Sequence, residues 1–318
     1  MSRDSLERHQ IPLYVVAVLL AVVGGLLMPA SAQRLEAWVT PLIAVLMYAM
    51  FLQIPLLELR QGLRDRRFIG ALLLANFVLL PCMVWVLTRG LVPHPALLVG
   101  ALLVLLAPCI DYVVVFTHLG KGDARAVLAA TPLLLLIQLA MLPFYLTVML
   151  PEHSGSLITL GPFLQAFAGL IVAPLLLAGL TCALARRSRT VGRWHAAWAW
   201  LPVPAMAAVL IVVIGSQVAT VAADIDRLLP VIPVYVGFLL LAPLTGALAA
   251  RLFRLPGATS RAVTFSASTR NSLVVLPLAL ALPEDIRVLA AAAVMMQTLI
   301  ELLGELIYIR AIPALLRD

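Results

Sequence analysis

Ten apolar runs, each near the roughly 20 residues a helix needs to cross a bilayer, follow one another with little polar sequence between them. They lie at roughly 11–29, 38–57, 68–88, 95–119, 125–150, 161–185, 196–219, 228–253, 262–282 and 287–309. Hydrocarbon offers no partners to backbone N–H and C=O groups, so runs of this length read as helices. The predicted fold class is an all-α polytopic membrane protein. Charged residues make up 12% of the 318, where a soluble domain carries about 25%. The connections and tails leave no room for a soluble enzyme or a nucleic-acid module.

The basic residues report orientation. A net charge of +7 would suit nucleic acid, but Lys and Arg sort by connection. Seventeen of the 22 fall in the two tails and in alternate connections, including Arg60 to Arg67, Lys121 with Arg125, Arg186 to Arg193, and Arg251 to Arg261. The opposite side receives Arg34, Arg89, Arg227 and Arg287, and Arg270 alone lies within a run. By the positive-inside rule this predicts a cell (cytoplasmic) membrane protein, multi-pass, with both termini cytoplasmic. The start, with Ala30-Ser31-Ala32 after an apolar run, also resembles a cleavable signal peptide. Asp4 and Glu7 dilute its basic region, and it is read here as the first span. Three cysteines, all in apolar runs, do not predict a disulfide framework.

Two polar interruptions break this pattern. Ala107-Pro108-Cys109-Ile110-Asp111-Tyr112 sits inside the fourth run, and Ser268-Thr269-Arg270-Asn271-Ser272 inside the ninth. Proline removes a backbone donor and obstructs the carbonyl one turn earlier. An ionisable side chain at bilayer depth costs at least roughly 2.5 kcal/mol and usually faces a bundle interior or a cavity. Both stretches are therefore predicted to be helix breaks that form a site. Asn76 and Pro81 add polar or bent positions to the third run; in the tenth, Gln297, Glu301 and Glu305 share one helical stripe. Glu305 is expected near the cytoplasmic interface, which makes Glu301 the intramembrane carboxyl. The tryptophans Trp194, Trp198 and Trp200 are expected as interface anchors.

A boundary near the midpoint divides the chain into residues 1–155 and 156–318, five runs in each. A shift of 162 residues superposes Asp123-Ala124-Arg125 on Asp285-Ile286-Arg287 and sets Pro108 opposite Arg270. Five is odd, so the halves are expected in opposite orientations. Inverted repeats meeting at two broken, crossing helices, the fourth and ninth, are a transporter architecture.

The expected chemistry follows from the residue types. After Asp111 and Tyr112, Val113, Val114 and Val115 offer no side-chain oxygen, while Arg270 carries a permanent positive charge that repels Na⁺ and is placed to neutralise Asp111 or Glu301. Sodium coupling is not expected. The candidate substrate-binding residues are Cys109, Asp111, Arg270, Asn271, Ser272 and Asn76, with proton coupling assigned to Asp111 or Glu301. A bland reading of Asp111 and Arg270, an ion pair that only pins two helices, stays beside this one. No cofactor and no resident metal is expected. An enzyme is not expected either: all five histidines fall near span ends, and no nucleophile with its base or Asp-rich motif stands in the runs.

Pro108-Cys109-Ile110 followed by Phe116-Thr117-His118-Leu119-Gly120-Lys121-Gly122-Asp123 resembles the fourth-span signature of arsenite efflux permeases, the arsenic-resistance branch of the bile acid/sodium symporter superfamily. Asn76 and Leu299-Ile300-Glu301 also match that pattern. The resemblance implies a ten-span secondary transporter with core and panel subdomains, exporting trivalent arsenic or antimony oxyanions in exchange for protons. It carries the family cysteine onto Cys109, where a thiolate suits a soft metalloid. The family's ninth-span glutamate is replaced by Ser272, and the glutamate that the sodium-binding branch has near Ser266 is absent. The other reading is a sodium-independent organic-anion carrier in which Arg270 binds a carboxylate or sulfonate. Either way, the partners are a small-molecule or metalloid anion, membrane lipid and protons, with no nucleic acid.

Overall fold

Regular structure is helical throughout the described residues, which are 10–53, 65–110, 112–150, 165, 168–223 and 225–316 of this computed structural model. The main helices are α1 (Gln10–Leu27), α2 (Glu36–Phe51), α3 (Arg66–Leu91), α4 (Pro95–Leu105), α5 (Val113–Leu119), α6 (Ala124–Met149), α7 (Ala173–Ala185), α8 (Arg189–Trp198), α9 (Pro202–Ala223), α10 (Ile232–Leu252), α11 (Gly257–Ser268), α12 (Ser272–Leu280) and α13 (Glu284–Leu315). Starts are set by local chemistry. The carboxylates of Asp65 and Asp123 accept from the first free amides of α3 and α6, the usual role of an N-cap aspartate.

Among the described residues, four helices are long and apolar enough to cross a membrane: Arg66–Leu91, Ala124–Met149, Asp226–Leu252 and Glu284–Leu315. A fifth arises if α8 and Pro202–Ser216, bent by 48° at their junction, count as one span. Shorter apolar helices, Val16–Leu27, Ala37–Phe51, Pro95–Leu105 and Ala173–Ala185, occupy the first, second, fourth and sixth runs. The chain is thus an all-helical, multi-pass membrane protein. Both predicted breaks are present: the fourth run is split into α4 and α5, the ninth into α11 and α12.

The helices assort into two compact units, one holding α1, α2 and α7 to α9, the other α3 to α6 and α10 to α13. Each unit draws on both halves of the sequence. In the first, α1 and α9 approach closely: a Cβ on Gly25 would stand 2.5 Å from Gly215 O, the small-residue approach that favours helix association in lipid. Tyr48 and Thr181 share a hydroxyl hydrogen bond of 2.9 Å between α2 and α7.

The second unit turns its polar side inward. On α13, Leu299, Leu303, Leu306 and Ile307 are exposed, whereas Gln297, Glu301, Glu305 and Tyr308 are buried. A surface so apolar is suited to hydrocarbon, not water. Prolines inside these helices leave carbonyls without their usual donor four residues on, and tyrosines supply it. Pro81 frees Phe77 O, which accepts from Tyr145 at 2.6 Å; Pro243 frees Leu239 O, which accepts from Tyr308. A π-turn over Ala75–Leu79 lies just ahead of Pro81 and gives α3 the slack to bend there.

Candidate functional site

The two breaks pair directly. Pro108 and Arg270 form an antiparallel bridge, in which Cys109 N donates to Thr269 O at 3.1 Å and Asn271 N to Ala107 O at 2.8 Å. A break leaves the last carbonyls of one half-helix and the first amides of the next without helical partners. Here some of these groups find each other. The motif after Cys109 closes the same unit: Lys121 takes a positive φ of 55°, and a Cβ on Gly120 would sit 2.2 Å from the Phe265 ring. Gly122 N bonds Thr117 O and Asp123 N bonds Ala258 O, while Arg261 Nε donates to Lys121 O. The most distinctive sequence motif therefore docks α5 against α11.

Arg270 is fully buried, at 0% exposure. Its side chain folds back along α11, so that Nη2 lies 2.8 Å from Ser266 O, 2.8 Å from Ala267 O and 2.8 Å from Asn76 Oδ1. Nη1 donates to Leu105 O at 3.4 Å, and the Phe238 ring lies 5.6 Å from Cζ. Arg270 is expected from the sequence to neutralise Asp111 or Glu301, and the guanidinium does not reach the Glu301 carboxylate by a side-chain hydrogen bond. The Glu301 carboxylate accepts from the backbone amide of Arg270, at 3.0 Å to each oxygen. The physical reason is the break: the open carbonyls ending α11 compete for the guanidinium and lie three and four residues behind it, within easy reach.

Glu301 is held from several sides. The Tyr112 hydroxyl stands 2.9 Å from Glu301 Oε1 and 2.8 Å from Arg270 O, and Gln297 Nε2 donates to Oε2. Glu305 joins the same cluster. It is fully buried in the protein, at 0% exposure, with Oε1 2.8 Å from the Thr269 hydroxyl. The α13 stripe continues inward because the breaks carry polar groups to meet it.

Asn76 belongs to the same network, since its Nδ2 donates to Ser266 Oγ at 3.2 Å while Oδ1 receives Arg270. Cys109 is buried in the bridge. Asn271 caps α12 through its Oδ1, 3.1 Å from Val274 N, whereas Asn271 Nδ2 and Ser272 Oγ are buried without a hydrogen-bond partner. Asp111 lies outside the described residues. Tyr112, Thr269 and Glu305 are site members that sequence reasoning did not select; Glu305 shares a stripe with Glu301, which was the available signal. A void of about 10 Å³ remains between Tyr235, Phe238, Ser268, Gln297 and Glu301, room for about one water. Among the described residues no three His, Cys, Asp or Glu side chains converge as a metal centre requires.

Residues 40–224 match the sequence profile of the sodium bile acid symporter family, a family of membrane transporters. The match spans more than half of the chain and stops before the second break and α13. No curated protein matches the sequence. On the strength of that matched stretch, the chain belongs to the sodium bile acid symporter family.

Proposed function

We propose that this protein is a secondary transporter of the cytoplasmic membrane that exports arsenite- or antimonite-type oxyanions, coupled to protons and independent of sodium. The observation that carries the reading is the antiparallel bridge between Pro108 and Arg270. It puts a buried thiol, a fixed cation and the unsatisfied Asn271 and Ser272 side chains on one seam between two broken helices. Trivalent arsenic and antimony are soft centres that thiolate sulfur binds well, and the oxygens of the oxyanion need donors of the kind Asn271 and Ser272 offer. Cys109, Asp111, Asn271 and Ser272 take the substrate in this reading, with Arg270 and Asn76 supplying the charge and shape of the seam.

Proton coupling falls to the carboxyls, Glu301 with Asp111. Glu301 is buried and its direct partners are a backbone amide, an amide side chain and a phenol. A carboxyl held by neutral hydrogen-bond donors at the crossing is the group this reading assigns to carry the proton. Arg270 Nη1 and Nη2 donate to protein oxygens, whereas its buried Nε has no hydrogen-bond partner, and the organic-anion reading keeps Arg270 as its ligand.

Ten spans in two inverted repeats, 1–155 and 156–318, with both termini cytoplasmic, complete the reading. Two features support the repeat. The 162-residue shift relates Pro108 to Arg270, which pair, and it also relates Pro81 to Pro243, each with its tyrosine on a freed carbonyl. The remaining void is far smaller than any substrate, so loading requires the seam to open toward one side of the membrane at a time. The test is arsenite accumulation in cells expressing wild type or Cys109→Ala. The expected result is low accumulation with wild type only; equal accumulation removes the metalloid reading.

A further inference from the structure

We propose that the oxygens gathered around Arg270 constitute a monovalent-cation site, and that the guanidinium is its permanent, covalently tethered occupant. The proposal rests on the reading of the chain as a carrier, not on the metalloid substrate.

Four oxygens converge on one end of the side chain: Ser266 O and Ala267 O from the last turn of α11, Leu105 O from the last turn of α4, and Asn76 Oδ1 from α3. Both broken helices thus turn their C-terminal ends, which carry partial negative charge, toward the same point. Three of the four oxygens lie 2.8 Å from a single nitrogen, Nη2. Neutral carbonyl and amide oxygens from separate elements make the donor set of a hard monovalent cation. A site built to hold an arginine as an ion pair would instead present a carboxylate, and Glu301 is bound to the backbone amide. The Phe238 ring covers the guanidinium at 5.6 Å, a further contact suited to a cation. Because arginine does not give up its proton in proteins, the site stays filled through the whole cycle. A dissociable ion, and with it a sodium gradient, is not needed to assemble the crossing.

The test uses purified full-length protein and two readouts that do not involve arsenite: equilibrium binding of radioactive Na⁺, and thermal unfolding in Na⁺, in N-methylglucamine or with millimolar ethylguanidinium. Wild type is expected to bind sodium at background and to melt alike in all three. Arg270→Ala is expected to melt lower, to regain several degrees with ethylguanidinium or Na⁺ in a saturable manner, and to lose that gain when Asn76→Leu is added. If Arg270→Ala does not fold, Arg270→Gln carries the same comparison. Saturable sodium binding by wild type overturns the proposal. So does a folded Arg270 variant that no cation stabilises more than it stabilises wild type.

Discussion

The two helix breaks do opposite jobs with opposite materials. The one between α4 and α5 runs from Leu106 to Tyr112, and its described residues are apolar apart from a thiol and the terminal phenol. Its main chain bonds back to α4 through Leu106 N and Ala107 N and across to the other break through the bridge, and the Tyr112 hydroxyl fastens its far end. The break between α11 and α12 is only Thr269, Arg270 and Asn271, yet every one of these is buried and hydrogen-bonded through its side chain. The difference is one of anchoring: the second break is held by its own side chains at every position, the first by main-chain bonds and the Tyr112 hydroxyl.

Four substitutions break or sharpen that contrast. Arg270→Met strips the donor from four buried oxygens; about 1–3 kcal/mol for each stranded acceptor predicts a loss of at least about 4 kcal/mol, read as a collapse of thermal stability in detergent. Glu301→Gln keeps the shape of the acceptor but not its charge, so it should cost about 1–3 kcal/mol and leave transport unresponsive to a pH gradient in vesicles. Tyr112→Phe unfastens the first break from Glu301 and Arg270 O. A loss of about 0.6–1.7 kcal/mol is expected, with hydrogen exchange rising at residues 106–113 and not at 269–271. Cys109→Ala should change stability least, by about 1 kcal/mol, while abolishing metalloid export. Equal exchange rates in the two breaks of wild type would remove the contrast itself.

The breaks were legible in the sequence because proline and a lone arginine violate the rules of hydrocarbon so plainly. The 162-residue shift set Pro108 opposite Arg270, and these two residues form the bridge. What escaped was the identity of partners across the fold. Nothing local to Arg270 says that its side chain turns back to the carbonyls of its own helix, because that choice depends on where Glu301 and Asn76 arrive. Glu305 escaped selection for a similar reason: its position along α13 does not say that Thr269 of the second break packs against it. Nothing near Tyr145 or Tyr308 in the sequence marks their hydroxyls as donors to the carbonyls freed by Pro81 and Pro243. In each case the missing information was a contact between residues far apart in the chain.

The most direct test is arsenite flux in proteoliposomes carrying the purified protein, with pH and sodium gradients imposed separately. The account predicts that a pH gradient drives arsenite movement, that a sodium gradient does nothing, and that Cys109→Ala abolishes the flux. Arsenite flux driven by sodium, or undiminished in Cys109→Ala, would contradict it.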